Sequence, residues 1–229
     1  MRPINRYLSN KIKASNIIAT DKNISQIVKD ELNRLGHNAD LNHIDVSKVT
    51  NMNSLFSCAF NDLGPTYSYL NPDISGWNMS NVKNTKFMFY GCINFNSDVS
   101  QLDVSNVENM FSMFYGCKKF NSDISRWDVS NVKDMAAMFY DCYNFNRDLS
   151  QWNVSKVEHM RSMFYKCKKF NKDIGCWKID SLITANHMFD GCKNFNQDLS
   201  KWDMSKVEDY NCMFYDCPIK EEYKPKFEV

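Results

Sequence analysis

FNSDISRWDVSNVKDMAAMFYDCYN, residues 120–144, is one copy of a block that recurs every 25 residues along the chain. Further copies begin at Phe95, Phe145, Phe170 and Phe195, and a looser copy begins at Leu70. A strict period in this range is typical of a protein in which one small structural unit stacks on copies of itself. The repeat therefore predicts a solenoid, a type of protein that usually presents a long surface to a partner.

Composition narrows the class of protein further. The chain has 229 residues and a formal net charge of +1, which argues against binding to nucleic acid or to an anionic membrane surface. No stretch approaches 18 apolar residues, so we expect no membrane insertion. Residues 1–23 contain no apolar run of a secretory signal peptide, and the expected location is therefore cytoplasmic.

Nine cysteines are present, and six of them recur at the 25-residue period. Reduced thiols are the expectation for a cytoplasmic protein, with each cysteine acting as a small buried apolar residue. Neighbouring units of a stack lie about 4.8 Å apart, a spacing that also allows disulfide bonds between them.

The second half of each block has helical spacing. Counted from 1 to 25 along the block that starts at Phe120, the apolar residues Val132, Met135, Phe139 and Cys142 stand at positions 13, 16, 20 and 23. Spacings of 3, 4 and 3 predict one face of a short helix. Serine at position 11 is a suitable N-cap, and three blocks complete a capping box, at Ser105–Glu108, Ser155–Glu158 and Ser205–Glu208.

The first half of each block predicts a short strand at positions 5 to 10, residues 124–129 in the same copy. Trp127 and Val129 are two residues apart and would share one face of that strand. The predicted fold is therefore an α/β repeat solenoid, with short parallel strands on one face and short helices on the other.

The predicted domain organisation has three parts. Residues 1–43 are an N-terminal segment with a capping helix in NISQIVKDELNRLGHN, which Gly36 would end. Residues 44–219 form about seven repeat units, with an insertion near 59–69 that interrupts the period. Residues 220–229 are a C-terminal capping tail, with Pro225 in place of a further helix.

Two polar positions also recur at every block, asparagine at position 2 and aspartate at position 4. Aspartate ladders bind calcium in some glycine-rich repeat proteins, but this chain has only seven glycines. We favour side chains that hydrogen-bond backbone groups at a turn.

The motif FNxDISxWDVSxVxxMxxMFYxC, over about residues 41–219, resembles the BspA-like leucine-rich repeat proteins. It is most similar to their methionine- and tryptophan-rich branch, a bacterial surface-protein repeat of unknown function. The resemblance implies a leucine-rich-repeat fold and a role in binding or adhesion, at the cell surface or as a secreted protein. The block from Phe170 departs from the motif, because GCWKIDSLITANHMFD replaces SxWDVSNVxxMxxMFY.

No motif for catalysis or cofactor binding is present, so we predict neither an enzyme nor a cofactor. One pair of residues is a remote candidate for a metal or redox site. His187 and Cys212 both occupy position 18, in neighbouring blocks, and Asp190 follows His187 by one helical turn.

The favoured function is a protein-interaction scaffold, expected to be a monomer, whose strand-side face binds a protein partner. A recognition surface would be formed by block positions at which the residue differs from copy to copy. At positions 7 and 3 these are Gln101, Arg126, Gln151, Lys201, Arg147 and Lys172, and the insertion adds Tyr67 and Tyr69. The alternative is an adhesive or structural surface protein that is exported by a route not evident from the sequence.

Overall fold

The computed structural model describes residues 17–58 and 68–227, and regular secondary structure there is sparse. Strand β1 spans Ile17–Thr20, helix α1 spans Ile24–Leu35, strand β2 spans Ile44–Lys48, and a 3-10 turn covers Glu221–Tyr223. The two strands pair in parallel, with Ile17 opposite Ile44 and an irregularity before Thr20. The predicted α/β leucine-rich-repeat solenoid is wrong, because no helix and no strand recurs from block to block in these described residues.

Helix α1 is the one predicted helix that is present. It buries Ile24, Val28 and Leu32, which lie on one face because they are spaced by four residues. Gly36 follows with φ of 88°, and its N–H donates to the carbonyl oxygen of Leu32. The left-handed backbone at Gly36 ends the helix, as the sequence predicted.

The predicted helix of each block is replaced by successive turns. In the block from Phe120, Ala137 at position 18 has φ of 53° and Asp141 at position 22 has φ of 54°. Left-handed residues every few positions prevent an α-helix from propagating. The spacing of 3, 4 and 3 instead follows i→i+3 backbone hydrogen bonds, such as Met138 N–H to Met135 and Cys142 N–H to Phe139.

The predicted strand at positions 5 to 10 is also wrong. Trp127 N–H donates to the carbonyl of Ile124, and Val132 N–H to that of Val129, so two turns occupy this segment. The capping box does not form either. In the block from Phe95 both the N–H and the hydroxyl of Ser105 bond Asp103 Oδ1, at 3.0 and 2.6 Å, and so Ser105 closes a turn.

Neighbouring blocks are joined by backbone hydrogen bonds in the segment that the sequence assigned to a helix. The N–H groups at positions 16, 18, 20 and 22 donate to carbonyls at positions 15, 17, 19 and 21 of the next block. Between the blocks from Phe120 and Phe145 the donors are Met135, Ala137, Phe139 and Asp141, at distances of 2.7 to 3.0 Å. Every bond in this series points the same way along the chain. The only bridges of strand type within it are single parallel pairs, such as Asp134 with His159.

The interior is filled by residues that recur at the block period. Phe139 is fully buried and stacks between Phe114 and Phe164, with ring centroids 5.9 and 5.7 Å away. The indole Nε1 of Trp127 donates to the carbonyl of Val99 in the preceding block at 3.0 Å. Cys142 Sγ contacts the carbonyl oxygen of Phe114 at 2.9 Å, so the buried thiol has an acceptor.

Both polar ladders bond backbone groups, as predicted, but in different ways. Asp123 Oδ1 accepts from the N–H of Ser125 at 3.0 Å, which is a local turn. Asn96 Oδ1 accepts from the N–H of Asn121 at 2.7 Å, in the next block. The asparagine ladder therefore links blocks, a role that the sequence did not reveal.

The residues after the last block fold back over part of it. Tyr223 accepts a backbone bond from Leu199 at 2.8 Å, Phe227 stacks on Tyr210 at 4.6 Å, and Ile219 is buried. Residues 59–67 of the predicted insertion lie outside the described residues. Within the described parts of the chain, no helix is long and apolar enough to span a membrane.

Candidate functional site

The position-7 residues that the sequence singled out are exposed and lie among aspartates. Gln101 and Arg126 line a cleft of about 320 Å³ together with Asp98 and Asp123. Lys201 lines a separate cleft of about 280 Å³. Nε2 of the exposed Gln151 donates to Ser150 Oγ at 3.4 Å. The four residues are accessible, but polar groups of the chain itself occupy much of the surface around them.

The aspartates of this surface are bonded chiefly by neighbouring serines, and the nearby cations act on them more weakly. The pKa of Asp123 is lowered, first by the N–H of Ser125, then by the Ser125 side chain, and more weakly by the charges of Arg147 and Arg126. Arg147 is half-buried, and its Nε donates to the carbonyl of Asn121 at 2.6 Å. Lys172 is also half-buried and lowers the pKa of Asp148 by its charge, after the bonds from Ser150.

The two tyrosines of the predicted insertion differ in what the structure describes. Tyr69 is 58% exposed. Tyr67 lies outside the described residues.

The remote metal or redox candidate has no cluster of ligands. His187 Nδ1 lies 2.8 Å from Asp190 Oδ2, and Cys212 is exposed on the next block. In residues 17–58 and 68–227, no group of three or more His, Cys, Asp or Glu side chains is arranged to hold a metal ion. His187 and Asp190 thus form a pair across one turn without a third ligand.

A surface that the sequence did not single out has the features of a binding groove. Tyrosine recurs at position 21, and the rings of Tyr90, Tyr115, Tyr140 and Tyr165 stack at centroid distances of 4.2 to 4.4 Å. Three of these rings border a groove of about 500 Å³, whose other walls are residues at positions 17 and 18. We call this surface the tyrosine face; its residues are Phe87, Tyr90, Phe111, Ser112, Tyr115, Ala137, Tyr140, Arg161, Ser162, Tyr165, Asn186 and His187.

The tyrosine face changes character along its length. At one end Phe87 and Phe111 meet edge to face at 5.1 Å, and Lys86 Nζ lies 5.0 and 4.9 Å from the two ring centroids. Ala137 in the middle leaves the groove open. At the other end stand Arg161 and Asn186, so one end is aromatic and the other polar.

The polar end has groups without partners. Asn186 Oδ1 is buried and is the one buried side-chain nitrogen or oxygen atom in the described residues that accepts or donates no hydrogen bond. Arg161 is exposed, and no ion pair of its guanidinium is found in the described part of the chain. A buried acceptor left unpaired costs free energy, which a donor from a ligand would recover.

Two of the stacked tyrosines have a raised pKa. Burial, followed by the charge and hydrogen bond of Tyr115, raises the pKa of Tyr90. Burial also raises the pKa of Tyr140, with further contributions from Tyr115 and Tyr165. Tyr90 and Tyr140 therefore stay protonated at neutral pH and offer neutral hydroxyl groups to a ligand.

Backbone geometry explains why this surface exists. The residue at position 18 is left-handed in every block, including Phe87 at φ of 57° and His187 at φ of 55°. This conformation turns the chain at position 18, so that most residues at positions 17, 18 and 21 are partly exposed beside one another, with Ser112, Ala136 and Asp190 as buried exceptions. The sequence held one usable signal, the tyrosine that repeats at position 21. Repetition alone does not mark a surface, because residues that fill the interior repeat at the same period.

Comparison with protein families gives one result, and comparison with curated proteins gives no match. Three overlapping segments, residues 18–63, 59–167 and 147–224, match a family described as "Mycoplasma protein of unknown function, DUF285". The matches include α1, the two strands and all the blocks, and so they cover most of the chain. This repeat protein therefore belongs to the DUF285 family of Mycoplasma proteins of unknown function.

Proposed function

We propose that this chain is a protein-interaction module, without catalysis, that binds a segment of a partner in the tyrosine face. One observation carries the proposal: a row of four stacked tyrosines lies beside residues that differ from block to block. At position 18 these residues are Phe87, Ser112, Ala137, Ser162 and His187. A repeating aromatic platform with variable neighbours offers both contact area and specificity, and tyrosine is enriched at protein interfaces for its apolar ring and polar hydroxyl.

The chemistry of the groove indicates the type of segment that would bind. Phe87 and Phe111 would contact an apolar or aromatic side chain. Arg161 would pair with a carboxylate, and Asn186 Oδ1 would accept a hydrogen bond from a backbone or side-chain N–H. The proposed ligand is thus a short acidic peptide segment with one large apolar side chain.

The surface at positions 3 and 7 supports binding less well. Its cations lie among aspartates of the same chain, and Arg147 already bonds the carbonyl of Asn121. An exposed ion pair at a rim contributes little affinity. It therefore serves best as the comparison surface in the experiment.

Affinity enrichment from host lysate tests the proposal, with retained proteins identified by mass spectrometry. Two variants alter the tyrosine face: Ala137→Phe fills the groove, and Arg161→Glu reverses the charge at its polar end. Phe87 occupies position 18 with φ of 57°, so this backbone accepts a phenylalanine. The matched control is the triple variant Arg126→Ala, Gln151→Ala and Lys201→Ala on the other surface.

A partner retained by the wild type and by the triple variant, but lost in both tyrosine-face variants, would support the proposal. Direct binding of the purified partner should then weaken at least about tenfold in Ala137→Phe, a change of about 1.4 kcal/mol. A partner lost only in the triple variant would contradict it and move binding to positions 3 and 7.

We also propose that the chain is related to the BspA-like repeats, on the motif FNxDISxWDVSxVxxMxxMFYxC. That relation favours a second candidate function, adhesion at the cell surface, whereas the interaction proposal places the protein in the cytoplasm. Protease treatment of intact cells distinguishes the two locations. If the protein is adhesive, each copy should bind a surface weakly. An array of tethered copies should then attach to that surface, whereas a single free chain should not.

A further inference from the structure

The last block has an open edge where every earlier block is paired. In the block from Phe170, the N–H groups of His187, Phe189 and Gly191 donate to carbonyls of the block from Phe195 at 2.9 Å. The equivalent groups of the last block belong to Cys212, Phe214 and Asp216. Among residues 17–58 and 68–227, nothing accepts a hydrogen bond from these three N–H groups.

The C-terminal tail covers only the other half of this block. Tyr223 accepts from the N–H of Leu199, Asn196 Oδ1 accepts from Lys220, and Phe227 stacks on Tyr210. Phe214 is half-buried, and Tyr215 is 68% exposed, the most exposed large apolar side chain in the described residues. The uncovered part is therefore the part that continues the contact between blocks.

The polarity of the open edge restricts what can cover it. At positions 16 to 22 the inter-block bonds run from N–H groups of one block to carbonyls of the next, so this part of the edge presents donors at every second residue. Two such edges from two copies of the chain would place donors against donors. A partner must instead offer carbonyl oxygens at every second residue along an extended segment.

We propose that the edge formed by Cys212, Phe214 and Asp216 binds an extended peptide segment of a partner protein through three backbone hydrogen bonds. The partner segment has the chemistry of positions 15 to 22 of a block, with carbonyls on one side and aromatic rings that stack on Phe214 and Tyr215. Phe189 shows that geometry, since it stacks on Phe214 at 5.6 Å from the opposite side. This site is independent of the tyrosine face.

A peptide from the chain itself is a suitable probe. Residues 155–168, SKVEHMRSMFYKCK, accept bonds at His159, Arg161, Met163 and Tyr165 from the preceding block. A synthetic peptide of this sequence carrying C167S should shift the amide NMR signals of Cys212, Phe214 and Asp216 in the full chain. The control peptide has the same composition in reversed order.

Two further measurements make the test decisive. Hydrogen exchange of the free chain should be on the order of 100-fold faster at Cys212, Phe214 and Asp216 than at His187, Phe189 and Gly191. Tyr215→Asp should weaken peptide binding at least about fivefold, because it removes an exposed ring without opening the core. Tyr143→Asp, at a ring that is 42% exposed in another block, is the matched control and should leave binding unchanged.

Several results would overturn the proposal. Equal shifts with the reversed peptide would mean that charge, rather than register, causes binding. Equal exchange at the two sets of amides would mean that the edge is already covered. Self-association of the chain that Tyr215→Asp abolishes would identify a second copy as the occupant.

Discussion

At the residue scale, polar atoms of several recurring side chains link each block to its neighbours. Trp127 donates to the preceding block, Asn96 accepts from the following one, and Cys142 lies against the carbonyl of Phe114. Where such an atom is buried, its hydrogen-bond partner belongs to a neighbouring block. The hydrogen bond therefore forms only when the blocks are stacked correctly. This explains why cysteine, rather than alanine or valine, recurs at position 23.

The buried thiols predict a loss of stability at alkaline pH. Burial raises the pKa of Cys142 well above its ordinary value of 9.0, and the same holds for Cys117, Cys167 and Cys192. A group whose pKa is higher in the folded state stabilises the protein fully below the unfolded pKa and less as pH rises above it. The free energy of unfolding, measured with urea under reducing conditions, should therefore fall above pH 9 by about 1.4 kcal/mol per pH unit for each buried thiol.

Alanine variants separate this effect from the titration of other groups. Cys142→Ala should reduce the slope above pH 9 by about 1.4 kcal/mol per pH unit. Cys176→Ala, at an exposed thiol, should leave the slope unchanged. A slope that is the same in Cys142→Ala and in the wild type would show that the thiol titrates equally in both states.

At the scale of the element, each block contains turns that end at residues with left-handed backbone. Position 22 is glycine in three blocks, Gly91, Gly116 and Gly191, with φ of 71° to 77°. In the others the same position holds Asp141, Lys166 or Asp216, with φ of 53° to 56°. Non-glycine residues there carry a cost that glycine avoids.

Gly116→Ala should therefore destabilise the protein by about 1 kcal/mol, through backbone strain alone. The added Cβ would meet only Gly91 Cα, at an ordinary distance of 3.7 Å. Lys166→Gly should change stability in the opposite direction, by about 0.5 kcal/mol, because relief of strain exceeds the entropy cost of glycine. Urea unfolding measures both, and an unchanged midpoint for Gly116→Ala would contradict the assignment of strain.

The sequence predicted the period, the helix α1 and the interior positions, but it assigned the wrong local structure to the blocks. Val132, Met135, Phe139 and Cys142 are all buried, as expected. Their spacing is shared by a helix and by successive i→i+3 turns, so periodicity alone could not separate the two. The serine at position 11 was wrongly predicted to be a helix N-cap. Serine is common both at N-caps and at the end of an aspartate turn, so the residue type alone does not distinguish the two. The sequence did not predict the tyrosine face, because this surface depends on left-handed backbone at position 18. The residue type at that position varies and does not indicate such a conformation.

At the scale of the whole molecule, aromatic rings continue from block to block. Phe56, Phe89, Phe114, Phe139, Phe164, Phe189 and Phe214 form one series, with consecutive centroids 5.1 to 5.9 Å apart. Each ring in the middle of the series contacts a ring on both sides. Phe214 contacts one such ring and is only half-buried.

The effect of a substitution should therefore depend on its place in the series. Phe139→Leu should cost about 1 to 2 kcal/mol, because it loses ring contacts on both sides and leaves a cavity. Phe214→Leu should cost less than about half as much, since one side of the ring has no neighbour. Both values come from denaturant unfolding of the full chain. Equal costs at the two positions would show that stacking does not contribute as described.

The regular repetition of the backbone bonds also bears on how such a chain can evolve. At positions 16 to 22 each block donates to the next, and at position 14 it donates to the preceding block, as Lys133 does to Glu108, so the same bonds recur from block to block. Gain or loss of a whole block would add or remove 25 residues at a time and keep the recurring interior positions in register. Genes of this kind can thus change the length of the encoded protein in whole units, while the surface that each unit exposes changes independently.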